Sequence, residues 1–166
     1  QTRFAALDQT VAGFRVVGRR LPGPWEMDIG EAEVVVAGGK GVATKEAFGL
    51  LAELAGLLGG AVGASRPVVD VGLVPPSRQV GLSGRTITPR LYIACGISGS
   101  PHHLVGMRGS GSVISINSDP HAPIHALSDV RLVGDAAVLL PRLIEQVRSR
   151  TETRRAALRE LSEVRV

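Results

Sequence analysis

The chain has 166 residues, 44% of them apolar but only 3% aromatic, and its lysines and arginines exceed its carboxylates by four. That length supports one domain with a real core, built from Val, Leu, Ile and Ala as in a parallel sheet covered by helices. A single cysteine, Cys95, excludes a disulfide framework and a multi-cysteine metal site, and no apolar run approaches a membrane span.

Residues 2–7 and 11–17 are short, partly alternating segments, expected to form a hairpin or two edge strands. Leu21-Pro22-Gly23-Pro24 breaks regular structure, so residues 19–28 are expected to connect, with Trp25 as a packing anchor. Val34-Val35-Val36 predicts a buried strand over residues 33–37. After Gly38-Gly39-Lys40-Gly41 a helical pattern carries Phe48, Leu50, Leu51, Leu54, Leu57 and Leu58. Thr44 is its candidate cap, without the glutamate of a capping box, and Gly59-Gly60 ends it. The glycine turn is not a Walker loop, because no Gly-Lys-Ser/Thr ending is present.

Residues 61–64 predict a second strand leading to Ser65-Arg66-Pro67, and residues 68–72 a helical turn. Pro75-Pro76 opens an irregular region reaching Pro89. Residues 91–94 predict a third strand. Gly96 and Gly99 follow, Ser98 or Ser100 is positioned to cap a short helix, and Pro101 enters its first turn beside His102 and His103. A strand, a Gly/Ser turn and a helix N-terminus suit an anion, though taken alone such a turn is equally a plain βα connection. Residues 112–116 and 130–133 predict two more strands, separated by a loop or short helix over 121–128. Asp135 leads a last helix with Val138, Leu139, Leu140, Leu143, Ile144 and Val147 on one side.

Strands alternating with helices predict an α/β fold: an open parallel sheet with helices on both faces, a Rossmann-like nucleotide-binding domain. Ligands of such sheets sit outside the carboxyl ends of the strands. Lys40, Ser65, Arg66, Ser98 to His103, Asn117 and Asp135 all follow strand ends, outlining a site for an extended ligand with phosphates and hydroxyls. Individually, Asn117 is also a turn former and Asp135 a helix cap. Cys95 reads as structural.

Several of these stretches, in order, resemble the alpha subunit of electron transfer flavoprotein. They are Gly38-Gly39-Lys40-Gly41, Gly63-Ala-Ser-Arg-Pro-Val-Val-Asp70, Gln79-Val-Gly-Leu-Ser-Gly84, Pro89-Arg-Leu-Tyr-Ile-Ala-Cys-Gly-Ile-Ser-Gly99, His103-Leu-Val-Gly-Met107 and Ile116-Asn-Ser-Asp-Pro-His-Ala-Pro-Ile124. The resemblance spans about residues 34–147 and covers that family's C-terminal, FAD-binding domain. It implies 31–148 as the FAD-binding domain, and the residues outside it read as an N-terminal hairpin and linker over 1–30 and a basic helical tail over 149–166. The abrupt start at Gln1 agrees with a piece of a longer protein.

The resemblance also implies the site. Ser83 matches the hydroxyl residue near flavin N5, Arg66 the arginine over the isoalloxazine and His103 the histidine near the flavin C2 oxygen. Lys40, Ser65, Asn117 and Asp135 match positions holding the rest of the cofactor, with Ser98, Gly99, Ser100, Pro101 and His102 around the phosphates and ribityl chain. Gln79, Val80, Gly81 and Leu82 complete the implied cofactor-binding set, with Ala136 at the adenine end. Leu82 stands where glutamine is usual, Ser100-Pro101-His102 replaces Ala-Ile-Gln, and Ala136 replaces a larger apolar residue. The implied function is an electron carrier rather than a substrate-converting enzyme. With a beta subunit it would take electrons from flavin dehydrogenases, such as acyl-CoA dehydrogenases, to a membrane-quinone oxidoreductase or other acceptor. No catalytic residue and no metal is expected.

Two other readings compete. Nicotinamide-nucleotide-dependent enzymes use a similar open sheet, but those that consume the nucleotide need a catalytic base and commonly a zinc-binding cysteine set, which one cysteine excludes. The positive charge suggests nucleic acid, yet seven arginines against four glutamates fall within residues 142–166, leaving the body nearly neutral. Aromatics are too few to stack bases. The expected protein is cytoplasmic, without a targeting segment, and neither binds nucleic acid nor inserts into a membrane.

Overall fold

Val34-Val35-Val36 places β-branched side chains on both faces of one strand, and β1, Val34–Gly38, is accordingly an interior strand, flanked on both sides. It pairs in parallel with β2, Ala61–Ala64, on one side and with β3, Leu91–Cys95, on the other. β3 pairs with β4, Ser112–Asn117, and β4 with β5, Val130–Val133, so the order is β2-β1-β3-β4-β5 and every pairing is parallel. This computed structural model describes residues 18, 20 and 22–163, with side chains described as far as Thr153 and at Ala156. The hairpin expected at residues 2–17 lies outside the described residues.

The strand order reverses between β1 and β3: the chain leaves β1 for β2 on one side, then crosses back to β3 on the other. A crevice opens at the carboxyl ends of two strands whose connections diverge in this way. That crevice is where the polar residues gather.

The two faces are covered unequally. α1, Lys45–Leu58, begins where the Thr44 hydroxyl accepts from the Ala47 N–H at 3.1 Å and ends on Gly59, whose φ of 68° is left-handed. Its Phe48, Leu51 and Leu54 pack with Val36, Ile93 and Ile116 of the sheet. α4, Ala136–Glu163, lies against α1 and adds Leu140 and Ile144 to the same cluster. Val138, expected on that stripe, is exposed instead. It stands two residues, about 200° of helical rotation, from Leu140. The basic segment from residue 149 continues this helix without a break to Glu163.

The opposite face carries short elements. α3, Pro101–Val105, and a 3₁₀ turn at Pro123–Leu127 cover Val35, Ala37, Tyr92 and Ala94 together with Ile29, Ile87, Met107 and Ile124. Trp25 is a partial anchor: its ring stacks on Phe48 at 6.3 Å between centroids, yet it stays 41% exposed.

The irregular region is held by two arginines. After α2, Arg66–Asp70, and a 3₁₀ turn at Pro76–Arg78, single bridges pair Ala64 with Gln79 and Val80 with Arg85. The Arg78 guanidinium is buried and donates to the carbonyls of Met27, at 2.7 Å, and Trp25. Arg85 pairs with Asp28 at 2.6 Å. Two anchors thus fasten this segment to residues 25–28.

Candidate functional site

The floor of the crevice is backbone. Gly39 N–H donates to the Cys95 carbonyl at 2.9 Å and Gly41 N–H to the Gly96 carbonyl at 3.0 Å, which locks the turn after β1 to the turn after β3. A Cβ on Gly39 would stand 2.7 Å from Ile97 Cα, closer than any real contact, so only glycine fits. Gly99 has a left-handed φ of 84°, and a Cβ there would stand 2.7 Å from Ile124 Cα.

Above this floor lies a cavity of about 630 Å³, within the usual range for a ligand site. Lys40 reaches it from the β1 turn, Ser65 and Arg66 from the end of β2, and His102 and His103 from α3. Ser98, Gly99 and Ser100 line it from the turn after β3, and Asn117 from the end of β4. Gln79, Val80, Gly81, Leu82 and Ser83 form the wall contributed by the irregular region.

Three residues of the expected set stand elsewhere. Pro101 faces a neighbouring apolar groove with Leu104 and Leu127. Asp135 caps α4, its carboxylate accepting from the Ala137 N–H at 2.8 Å, and Ala136 is buried among Leu140 and the helical core. Both sit beyond β5, one strand past the last strand that lines the cavity. Conversely, Asp119, Ala122 and Pro67 line the cavity without having been singled out. Asp119 was visible only as part of the Asn-Ser-Asp-Pro turn, in which its N–H donates to the Asn117 side chain at 2.9 Å.

The side chains around the cavity are committed to particular hydrogen-bond roles. The Gln79 amide N–H donates to Ser83 Oγ at 2.9 Å. That occupies the oxygen as acceptor and leaves the Ser83 O–H free to donate. Asn117 donates to the Ile97 carbonyl at 2.8 Å, so it braces the β3 turn against the β4 turn. Ser100 stands at the N-terminus of α3, but its hydroxyl caps nothing, and five residues make a weak macrodipole. An anion at this turn would therefore rely on individual N–H groups rather than on a helix field.

His103 is buried, and its Nε2 lies 2.9 Å from the hydroxyl of Tyr92, which is buried completely. Burial drives the His103 pKa down to about 4, against the opposing effect of a backbone hydrogen-bond interaction with Val80, so the imidazole is neutral at ordinary pH. No hydrogen bond of ordinary geometry reaches its Nδ1. Cys95, wholly buried at the end of β3, has its thiol pushed up to about 12 by the same desolvation, which keeps it protonated and unreactive. Arg66 is exposed and pairs with Asp70 one helical turn on, at 3.3 Å; Lys40 is likewise exposed. Positive charge thus stands at the mouth, the neutral His103 is buried inside, and Ser83 is exposed on the wall. Among the described residues no cluster of three metal-ligating side chains occurs, and no helix is long and apolar enough to cross a membrane.

Comparison with known proteins gives this geometry a context. Residues 28–108 match the family described as the electron transfer flavoprotein FAD-binding domain. Over 122 residues, 74% of the chain, it is 52% identical to the electron transfer flavoprotein subunit alpha of Clostridium acetobutylicum and 46% identical to that of Thermoanaerobacterium thermosaccharolyticum. Over 140 residues, 84% of the chain, it is 41% identical to the mitochondrial electron transfer flavoprotein subunit alpha of Arabidopsis thaliana. The matched parts are 36%, 37% and 39% of those three proteins, so the chain spans little more than a third of the relatives it resembles. These matches favour the flavin reading over the nicotinamide-dependent one.

Proposed function

The chain carries the FAD-binding domain of the electron transfer flavoprotein alpha-subunit family, and from that premise we propose that the cavity at the β1/β3 crevice holds the FAD of an electron carrier. The observation that carries the proposal is the convergence of four strand ends and the segment 79–83 on one cavity, with a backbone floor and donors already oriented. A large dinucleotide suits such a site. Its backbone floor admits close approach where a side chain at Gly39 would not, and Ser83 has a hydrogen to donate.

FAD, when bound, supplies a ring system that accepts and returns electrons. The chain's own residues set the conditions. Arg66 and Lys40 bring positive charge to the mouth of the cavity, which favours the negatively charged form of a ligand over the neutral one. Ser83 and His103 contribute hydrogen bonds without a net charge. In the proposed assembly a beta subunit closes the open side of the cavity. Flavin dehydrogenases, acyl-CoA dehydrogenases among them, deliver electrons and a membrane-quinone oxidoreductase or another acceptor removes them.

Titration of the chain with FAD, using FMN as control, tests the cofactor assignment. FAD should bind more tightly, through its adenylate half; equal affinity for the two would count against that half being recognised. Repeating the titration with a beta subunit present should raise FAD affinity, because a partner that prefers the loaded form must also tighten the cofactor.

A further inference from the structure

The contact between Tyr92 and His103 has a polarity that the structure decides. Tyr92 lies on β3, fully buried, with its hydroxyl 2.9 Å from His103 Nε2. Two arrangements are possible. If the hydroxyl donates to Nε2, the imidazole proton sits on Nδ1, and one donor, the Nδ1–H, is left unmet. If Nε2–H donates to the phenol oxygen, the phenol O–H has no acceptor and the Nδ1 lone pair has no donor. That leaves two buried polar groups unmet instead of one. Each buried unmet group costs about 1–3 kcal/mol, so the first arrangement wins. Burial also raises the phenol pKa, which keeps the hydroxyl proton in place as the donor.

We propose that Tyr92 is a positioning residue: its buried hydroxyl holds His103 as the neutral tautomer with the proton on Nδ1, a donor kept in reserve on a side chain that lines the cavity. The functional sense of this rests on the reading of the cavity as a flavin site. Nδ1 is buried and makes no hydrogen bond of ordinary geometry among the described residues, although the Val80 backbone stands close to the ring, and its residue forms part of the cavity wall. An unmet buried donor is costly, and a ligand presenting an acceptor oxygen or nitrogen is what would relieve it. The opposite tautomer would present a lone pair there and repel the same acceptor. Tyr92 thereby settles the sign of the interaction without touching the ligand. It is the only tyrosine in the chain, so tyrosine labelling addresses it alone.

The test is long-range proton–nitrogen NMR on histidine-labelled chain, recorded both without and with FAD. His103 should show a protonated Nδ1 and an unprotonated, hydrogen-bonded Nε2 in the free protein. Tyr92→Phe should remove that bias and produce the Nε2–H form or a mixture. It should also weaken FAD binding about tenfold, the equivalent of one oriented hydrogen bond of about 1.4 kcal/mol. A protonated Nε2 in the unsubstituted protein, an unchanged tautomer in Tyr92→Phe, or unchanged FAD affinity with the tautomer altered would each overturn the proposal. Should Tyr92→Phe fail to fold, fluorotyrosine at this one position keeps the hydroxyl and makes it a stronger donor. The Nε2 signal must then move, and its failure to move would overturn the proposal equally. The tautomer is read in the FAD-free chain, so a chain that binds no FAD would contradict the proposed function and leave this assignment to be judged on its own spectrum.

Discussion

Acid should unfold this domain partly through one histidine. An exposed histidine titrates near 6.5, whereas desolvation lowers the pKa of His103 to about 4 in the folded chain. Above pH 6.5 the group is neutral in both states and contributes no pH dependence. Between 6.5 and 4 the unfolded chain takes up a proton that the folded chain refuses, so stability falls as pH falls, by about 1.4 kcal/mol per unit. The loss accumulates to on the order of 3 kcal/mol and levels off below pH 4, where the folded form is protonated too. Against a total stability of about 5–15 kcal/mol for a domain, that is a large share. The perturbation is His103→Gln, and the assay is urea unfolding of both proteins at steps from pH 7 to pH 4. Carboxylates with depressed pKa values, such as Asp28 with its bond from the Gly30 N–H and its pairing with Arg85, destabilise both proteins alike on acidification and cancel in the difference. His103→Gln is less stable at pH 7, because Tyr92 loses its partner, but its deficit should shrink by on the order of 3 kcal/mol as the pH falls. Parallel curves would refute the reasoning and place a protonated imidazole inside the fold.

Other expectations follow from contacts already described. Gly39→Ala should destabilise the fold by about 2–4 kcal/mol in urea unfolding, because its methyl must displace Ile97 backbone at the β1/β3 junction. Arg78→Ala removes the buried donors to the Trp25 and Met27 carbonyls. A loss of about 2 kcal/mol is expected, with faster amide exchange concentrated in residues 75–85. Arg66→Ala breaks only an exposed ion pair and should change stability by less than about 0.5 kcal/mol, while lowering FAD affinity and the potential of the bound flavin, as spectroelectrochemistry reads it.

What the sequence revealed and what it hid divide along a physical line. Val34-Val35-Val36, Thr44 and Gly59 act through local conformation and burial, so the interior strand β1 and both ends of α1 are legible from neighbours within a few residues. The glycines after β1 and β3 are legible as turns for the same reason. Their locking to each other depends on strands 57 residues apart lying side by side, as the pairing of Gly38 with Cys95 shows. Arg78 carried no signal at all, since arginine is rarely buried and its partners are carbonyls of an unrelated segment. Asp135 and Ala136 follow a strand end like the others, but β5 is the sheet edge. Distance along the sheet from the β1/β3 switch, which no local pattern encodes, separates them from the cavity. Val138 shows the reverse limit: an apolar residue in a helical run points outward because the run is wider than the stripe that α1 covers.

The same division bears on how the site works. Its floor is fastened by hydrogen bonds between the turns of two central strands and cannot move without disturbing the core. Its wall at residues 79–83 is tied to β2 by the Val80 N–H to the Ala64 carbonyl at 2.9 Å and to α3 by the Leu82 N–H to the His102 carbonyl at 2.7 Å, and it is strapped further by Arg78 and Arg85 reaching across to residues 25–28. The buried guanidinium is the firmer of the two anchors. Arg85 and Asp28 are each nearly half exposed, and a pair so placed holds by about 0–1 kcal/mol and weakens with salt. Gln79 directly follows Arg78 in the chain and donates to Ser83, so the orientation of the Ser83 hydroxyl inherits the position of Arg78. His103, by contrast, is oriented from β3 through Tyr92. The two neutral donors of the cavity are thus referred to different parts of the fold, one to the sheet and one to a strapped segment. A change in the strap acts first on the Ser83 side of the site and reaches the His103 side through the bond from the Leu82 N–H to the His102 carbonyl.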